Sequence, residues 1–69
     1  MKITNTGIDK NKQDETTIYW FGIDGNEYGI ADCNGEITPL DCDGFPIEGP
    51  NHGDMIIIEA ITAEYEKLI

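Results

Sequence analysis

Two glycine-containing turn patterns interrupt the most strand-like part of this chain, and they constrain its fold more than any other feature. Asp24-Gly25-Asn26 and Asn34-Gly35 are typical of tight hairpin turns, because glycine and asparagine readily adopt the positive φ that these turns require. The neighbouring residues are largely apolar or β-branched and favour strands. The sequence therefore predicts a meander of three strands, at residues 16–23, 27–33 and 36–40.

The strongest predicted strand, TTIYWFGI, is apolar on both faces. Side chains alternate along a strand, so Ile18 and Trp20 share one face and the larger apolar set shares the other: Tyr19, Phe21 and Ile23. Such a strand either is central and covered on both sides or has an exposed face used for binding. The sequence alone leaves both alternatives open.

The sequence also makes predictions for the residues before this meander and for its last strand. Residues 2–8 are predicted to form a short first strand, and the fully polar residues 9–15 a loop. Pro39 has no N–H to donate, so the strand at 36–40 is an edge strand or ends at that residue.

The C-terminal segment is predicted to be a helix over residues 54–69. Its apolar residues recur at helical spacing on one stripe, formed by Ile57, Ile61, Tyr65 and Leu68. Asp54 is the expected N-cap. The alternative makes residues 55–61 a fourth strand, since three consecutive isoleucines favour β structure. The predicted fold is one small α+β domain over residues 1–69, in which an antiparallel meander of three to four strands packs against one C-terminal helix.

The loop predicted at 41–53 holds the one pattern that resembles a metal site. Asp41 and Asp43 stand two apart before a glycine, as in part of a calcium loop. An EF-hand would need a bidentate glutamate where His52 stands, so a turn is the favoured interpretation and weak calcium binding the alternative. A brief strand at Phe45–Ile47 is also possible, and both apolar residues are expected to fold back onto the core.

No residue pattern predicts catalysis or a cofactor. His52 lies in a turn-like PNHGD segment without a nucleophile and base at recognisable spacing. Cys33 and Cys42 lack zinc-site spacing and are expected to be small, half-buried thiols. We therefore expect a protein that is not an enzyme and carries no metal or cofactor.

The charge distribution carries the prediction about partners. Fourteen acidic residues and four lysines give a formal net charge of -10, and no lysine or arginine occurs from Gln13 to Glu66. Nucleic acid and anionic membranes would repel such a chain, whereas a basic protein surface would attract it. The expected partner-binding carboxylates are Asp24, Glu27, Asp32, Glu36, Asp41, Asp43 and Glu48. The expected aromatic contacts are Tyr19, Tyr28 and Phe45.

In size, charge and compactness the chain resembles small acidic phage inhibitors, including anti-restriction proteins, anti-CRISPR proteins and other DNA mimics. The resemblance implies a cytoplasmic inhibitor that occupies the basic surface of a nucleic-acid-handling complex. It rests on no family motif. An alternative hypothesis is a homo-oligomeric structural or accessory protein, with a homodimer possible, because the core is small. The absence of a long apolar run and of a signal-peptide pattern also predicts a cytoplasmic location.

Overall fold

A computed structural model of the chain describes residues 2–69, and it consists of a sheet and a helix. The elements in chain order are β1 (Ile3–Asn11), β2 (Thr16–Ile23), β3 (Asn26–Cys33), β4 (Glu36–Leu40) and α1 (His52–Leu68). Consecutive strands are antiparallel neighbours in the order β1-β2-β3-β4. The predicted fold class is therefore confirmed, with the sheet a four-stranded meander.

Two tight turns set the register of this sheet. Asp24-Gly25 has φ values of 49° and 83°, and Asn34-Gly35 has φ values of 52° and 88°. Two-residue hairpin loops with positive φ at both positions are type I′ turns, whose twist matches that of the flanking strands. The first loop is Asp24-Gly25 alone, since Asn26 already pairs with Ile23 as the first residue of β3.

A β-bulge brings both isoleucines of β1 to the same face of the sheet. Ile3 and Ile8 are five positions apart in the sequence, so a regular strand would place them on opposite faces. Their partners in β2 are Ile23 and Tyr19, which are four positions apart and share a face. The register shifts between Asn5 and Gly7, and the extra residue there restores the apolar pattern.

Strand β1 also runs further than the sequence predicted. Residues 9–11, expected in a loop, pair with residues 16–18 of β2. The connecting turn is residues 12–15, and it ends at Glu15, whose φ is 56°. Polar residues are acceptable at these positions because β1 is an edge strand with one side open to solvent.

The hydrophobic core lies between α1 and one face of the sheet. Its buried members are Phe21, Ile23, Ile30, Ile61 and Tyr65, with Ile3, Tyr19, Tyr28 and Ile57 packed around them. Three members of the predicted helical stripe thus reach the core. The fourth, Leu68, is 45% exposed because it is the last residue of the helix.

The N-cap of the helix lies three residues before the predicted one. Asn51 is the N-cap, and its side-chain oxygen accepts from the Asp54 N–H at 2.8 Å. The Asp54 carboxylate in turn accepts from the Asn51 N–H at 3.2 Å, which completes a capping box. The alternative strand at 55–61 is wrong, because this box and the packing of Ile57 and Ile61 on the sheet override the β preference of isoleucine.

The segment after β4 turns back along the edge of the sheet. Leu40 forms an isolated bridge with Pro46, and the Ile47 N–H donates to the Pro39 carbonyl at 3.0 Å. Pro39 therefore lies in an edge strand, as predicted. Ile47 is half-buried, but Phe45 is 67% exposed, so the expectation that Phe45 folds onto the core is wrong. The bridge at Pro46 and the bond from Ile47 hold the backbone so that the Phe45 side chain faces outward.

The capping box gives a direct test of this helix start. Asn51→Ala removes the acceptor for the Asp54 N–H and should lower the free energy of unfolding by about 1 kcal/mol. Urea denaturation followed by circular dichroism measures the change. His52→Ala, an exposed neighbour with no side-chain hydrogen bond, should leave the free energy nearly unchanged. Equal effects of the two substitutions would contradict the capping role of Asn51.

Candidate functional site

The sheet has one face that neither helix nor strand covers within residues 2–69. By register, this face presents Ile18 and Trp20 of β2, Gly29 and Ala31 of β3, and Thr38 and Leu40 of β4. We call this side of the sheet, with these six residues at its centre, the open face. Of the two sequence alternatives for the central strand, the structure therefore has the one with an uncovered face.

The indole ring of Trp20 lies across the open face. Its Nε1–H donates to the Asp9 carboxylate of β1 at 3.0 Å. On the β3 side the ring rests on Gly29, where an added Cβ would lie 2.9 Å from Cζ3 of Trp20. Its far end reaches the loop after β4, since a Cβ on Gly44 would lie 3.8 Å from Cη2. Glycine at position 29 thus gives the ring room to lie flat.

Leu40 belongs, with Trp20, to the small set of apolar residues on the open face. Leu40 lies opposite Gly29 and is only 5% exposed, although it does not belong to the core under the helix. Ile18, Ala31 and Thr38 are half-buried around them. Small apolar sets outside the main core commonly lie beneath loops, and here the returning loop borders Leu40.

The charges that the strands contribute to this face are all negative. Asp9 lies opposite Ile18, Glu27 opposite Gly22 and Glu36 opposite Cys33. The only lysine within a strand, Lys10, lies opposite Thr17 on the helix side. The open face therefore has an apolar centre and a carboxylate rim.

The predicted aromatic contacts are divided between the two sides of the sheet. Tyr19 and Tyr28 lie on the helix side and pack against the core, and the Tyr19 ring meets Tyr65 edge-on with centroids 5.1 Å apart. Phe45 is exposed. The sequence analysis grouped Trp20 with Ile18 but did not select it. One helix can cover only one face of the sheet. The smaller apolar set of β2, formed by Ile18 and Trp20, was therefore the one to expect on the uncovered face.

Three of the predicted partner-binding carboxylates accept hydrogen bonds within the fold, and one of them, Glu27, accepts from the Thr6 hydroxyl at 2.7 Å while remaining exposed. On the helix side, Asp32 accepts from the Tyr65 hydroxyl at 2.6 Å and from the Gly35 N–H at 3.0 Å. Asp41 accepts from the N–H groups of Asp43 and Phe45 at 2.9 and 3.0 Å, so it organises its own loop.

Five of the predicted carboxylates are exposed, namely Asp24, Glu27, Glu36, Asp43 and Glu48. The structure does not bring them all to one face: Glu27 and Glu36 belong to the rim, while Asp24 lies in a turn and Asp43 in the loop. Across the described residues the one ion pair joins Lys67 to Glu64 at 3.4 Å. Most of the acidic side chains therefore project into solvent without a cation.

The described residues present surfaces rather than enclosed sites. They form no pocket and no group of three His, Cys, Asp or Glu side chains placed to hold a metal ion. Both thiols, Cys33 and Cys42, are free and exposed, not half-buried as expected, because one ends a strand and the other lies in the loop. From residue 2 onward, no helix has the length and apolar character needed to cross a membrane.

Comparisons with known proteins found no match, so a functional proposal rests on the geometry and charge of this chain. No protein-family model matches the chain, and no curated protein or solved structure matches it.

The contact between Tyr65 and Asp32 predicts a loss of stability at high pH. Hydrogen bonding to Asp32, then burial, then the Asp32 charge raise the pKa of Tyr65 from 10.0 to about 12. The folded state therefore holds the phenol proton more tightly than the unfolded state. Its contribution is fully present below about pH 10 and is lost as the pH rises through about 12.

Comparison with Tyr65→Phe isolates this effect. At neutral pH the variant should unfold with a free energy lower by about 1–3 kcal/mol, since a hydrogen bond to a charged group is lost. Urea titrations at increasing pH should show the difference between the two proteins shrinking from pH 10 to about 12. A constant difference across this window would contradict the assignment.

The packing of Trp20 on Gly29 predicts that an added methyl group is costly. Gly29→Ala must displace the indole and should lower the free energy of unfolding by about 1–3 kcal/mol, with a shift in tryptophan emission. Gly7→Ala is the matched control, because nothing lies within 4 Å of its added Cβ. If the two variants were equally stable, the close packing would be refuted.

Proposed function

We propose that this protein is a non-enzymatic acidic binding protein that occupies a basic surface of a nucleic-acid-handling protein or complex. The observation that carries the proposal is the set of exposed carboxylates without cations: in residues 2–69 only Glu64 is ion-paired, and the net charge is -10. Self-repulsion of this size opposes compaction. A negative charge large enough to lower the stability of the fold is more than solubility requires. Such a charge suits a partner whose surface is positive.

A surface built to hold phosphates is the partner that this charge fits best. Duplex DNA carries one negative charge per about 1.7 Å of axis, and a basic groove attracts anionic groups over long distances. The longest extent of this protein is 33 Å, which is about one turn of a duplex, roughly 34 Å. Carboxylates on strands, turns and helix would steer the encounter and pair with arginine and lysine.

The biological setting that follows is the cytoplasm of a bacterial host. The protein would act there as a phage or mobile-element inhibitor of the anti-restriction or anti-CRISPR type, by competing for the surface that binds nucleic acid. It would not bind nucleic acid or an anionic membrane itself, because both would be repelled.

A homo-oligomeric accessory protein is the second candidate, because the open face leaves Ile18 and Trp20 uncovered. Sedimentation at low protein concentration separates the two candidates, since a monomer contradicts this one. A calcium-dependent domain has less support. One oxygen of Asp41 already accepts two backbone N–H groups, and calorimetry without a saturable calcium site would dismiss it.

The proposed function predicts a strong dependence of binding on salt. A partner captured from bacterial lysate at about 50 mM salt should be largely released at about 500 mM, because the Debye length falls several-fold. Added duplex DNA should compete for the same partner. Retention that is equal at low and high salt would overturn the proposed function.

A further inference from the structure

We propose that the open face is the docking surface, and that an arginine of the partner stacks on the outward side of the Trp20 indole while pairing with Asp9. This inference rests on the proposed function, because it names the surface through which a basic partner is held. The ligand class is a protein surface in which arginine flanks an apolar side chain.

The orientation of the indole determines which part of the ring a partner can reach. Trp20 lies flat between Asp9 and the Gly44 loop, with its inner side on Gly29. Its N–H is bonded to Asp9 and its inner side rests on Gly29, and the side chain as a whole is half-buried, so the outward π face is the part of the ring left for a partner. Cations bind to the face of an aromatic ring, and tryptophan is the strongest of the three aromatic residues in this role.

The carboxylate of Asp9 adds a negative charge beside the ring. Asp9 is exposed and makes no ion pair, and its Oδ2 lies 3.0 Å from Nε1 of Trp20. A cation stacked on the indole would therefore lie next to a negative charge. A planar guanidinium can stack on the ring and donate to the carboxylate at once, whereas a lysine ammonium is a point charge with strong hydration.

The charge of the rim decides between a basic partner and a second copy of this chain. Glu27 and Glu36 share the open face with Asp9, and the strands contribute no cation there. A homodimer through this face would bring two such rims together, with a net charge of -10 on each subunit. Like charges placed together at an interface are costly, so a basic surface is favoured.

The size of the molecule is compatible with a complete interface on one side. Its extents are 33 × 24 × 20 Å, and a standard interface buries roughly 800 Å² on each partner. Such an interface would occupy one whole broad face. The half-buried Trp20 and Ile18 would form its centre and the carboxylates its rim, which is the usual arrangement of a protein interface.

A defined peptide tests the docking surface without knowledge of the natural partner. The probe is a short helical peptide whose apolar stripe is flanked by arginines, compared with the same peptide carrying lysines. Trp20 is the only tryptophan, so its fluorescence reports on this face alone, while the anisotropy of a labelled peptide reports total binding. We expect the arginine peptide to bind more tightly and to change Trp20 emission.

A pair of charge-matched variants then locates the contact. Asp9→Asn keeps an acceptor for the indole N–H but removes the charge, and it should weaken the arginine peptide about tenfold. Asp24→Asn removes the same charge from an exposed turn, where asparagine tolerates the positive φ, and should weaken binding no more than about twofold. Urea denaturation confirms that both variants are folded.

Three results would overturn the docking surface. They are binding without a change in Trp20 emission, equal weakening by the two variants, and no binding of the peptide at low salt. Emission that changes with protein concentration alone would instead assign the face to a second copy and also reject the proposal. None of these results depends on salt-sensitive capture from lysate, so the proposed function can stand when the docking surface fails.

Discussion

The central strand β2 is apolar on both sides, and residues 2–69 contain a single helix with which to cover it. The helix packs on the side of Tyr19, Phe21 and Ile23, where β1 and β3 add further apolar residues. Ile18 and Trp20 remain on the other side, where a flat indole on Gly29 and a bond to Asp9 partly replace a second layer. The open face is the direct consequence of this unequal coverage.

The carboxylates have two separate uses in this fold. Asp32, Asp41 and Asp54 accept hydrogen bonds from backbone N–H groups, and Asp32 also accepts one from Tyr65. Charge-assisted bonds of this kind stabilise turns, loops and helix starts. The remaining acidic side chains are mostly exposed and unpaired, and they supply the field on which the proposed function depends. The same residue type thus stabilises the fold at some positions and carries the surface charge at others.

Much of the fold could be predicted from the sequence, because its strongest patterns are local. The strands at 16–23 and 36–40 have the predicted bounds, since turn residues and alternation act over a few positions. The errors concern features that depend on particular hydrogen-bond partners, which residue type and alternation do not specify. Residues 9–11 are a strand only because β2 pairs with them, and Asn51 begins the helix through a reciprocal bond with Asp54. Phe45 is exposed in a turn closed by its backbone bonds with Asp41.

The sequence by itself determined the meander, the two faces of β2, the helical stripe and the large negative charge. These follow from residue type and spacing, which act within one strand, turn or helix. Only the tertiary structure decided which face of β2 the helix covers, how Trp20 lies on Gly29, and that Asp9 and Asp32 accept hydrogen bonds from Trp20 and Tyr65. Each of those outcomes depends on contacts between residues far apart in the chain, and a period of two along a strand cannot say which side will be buried.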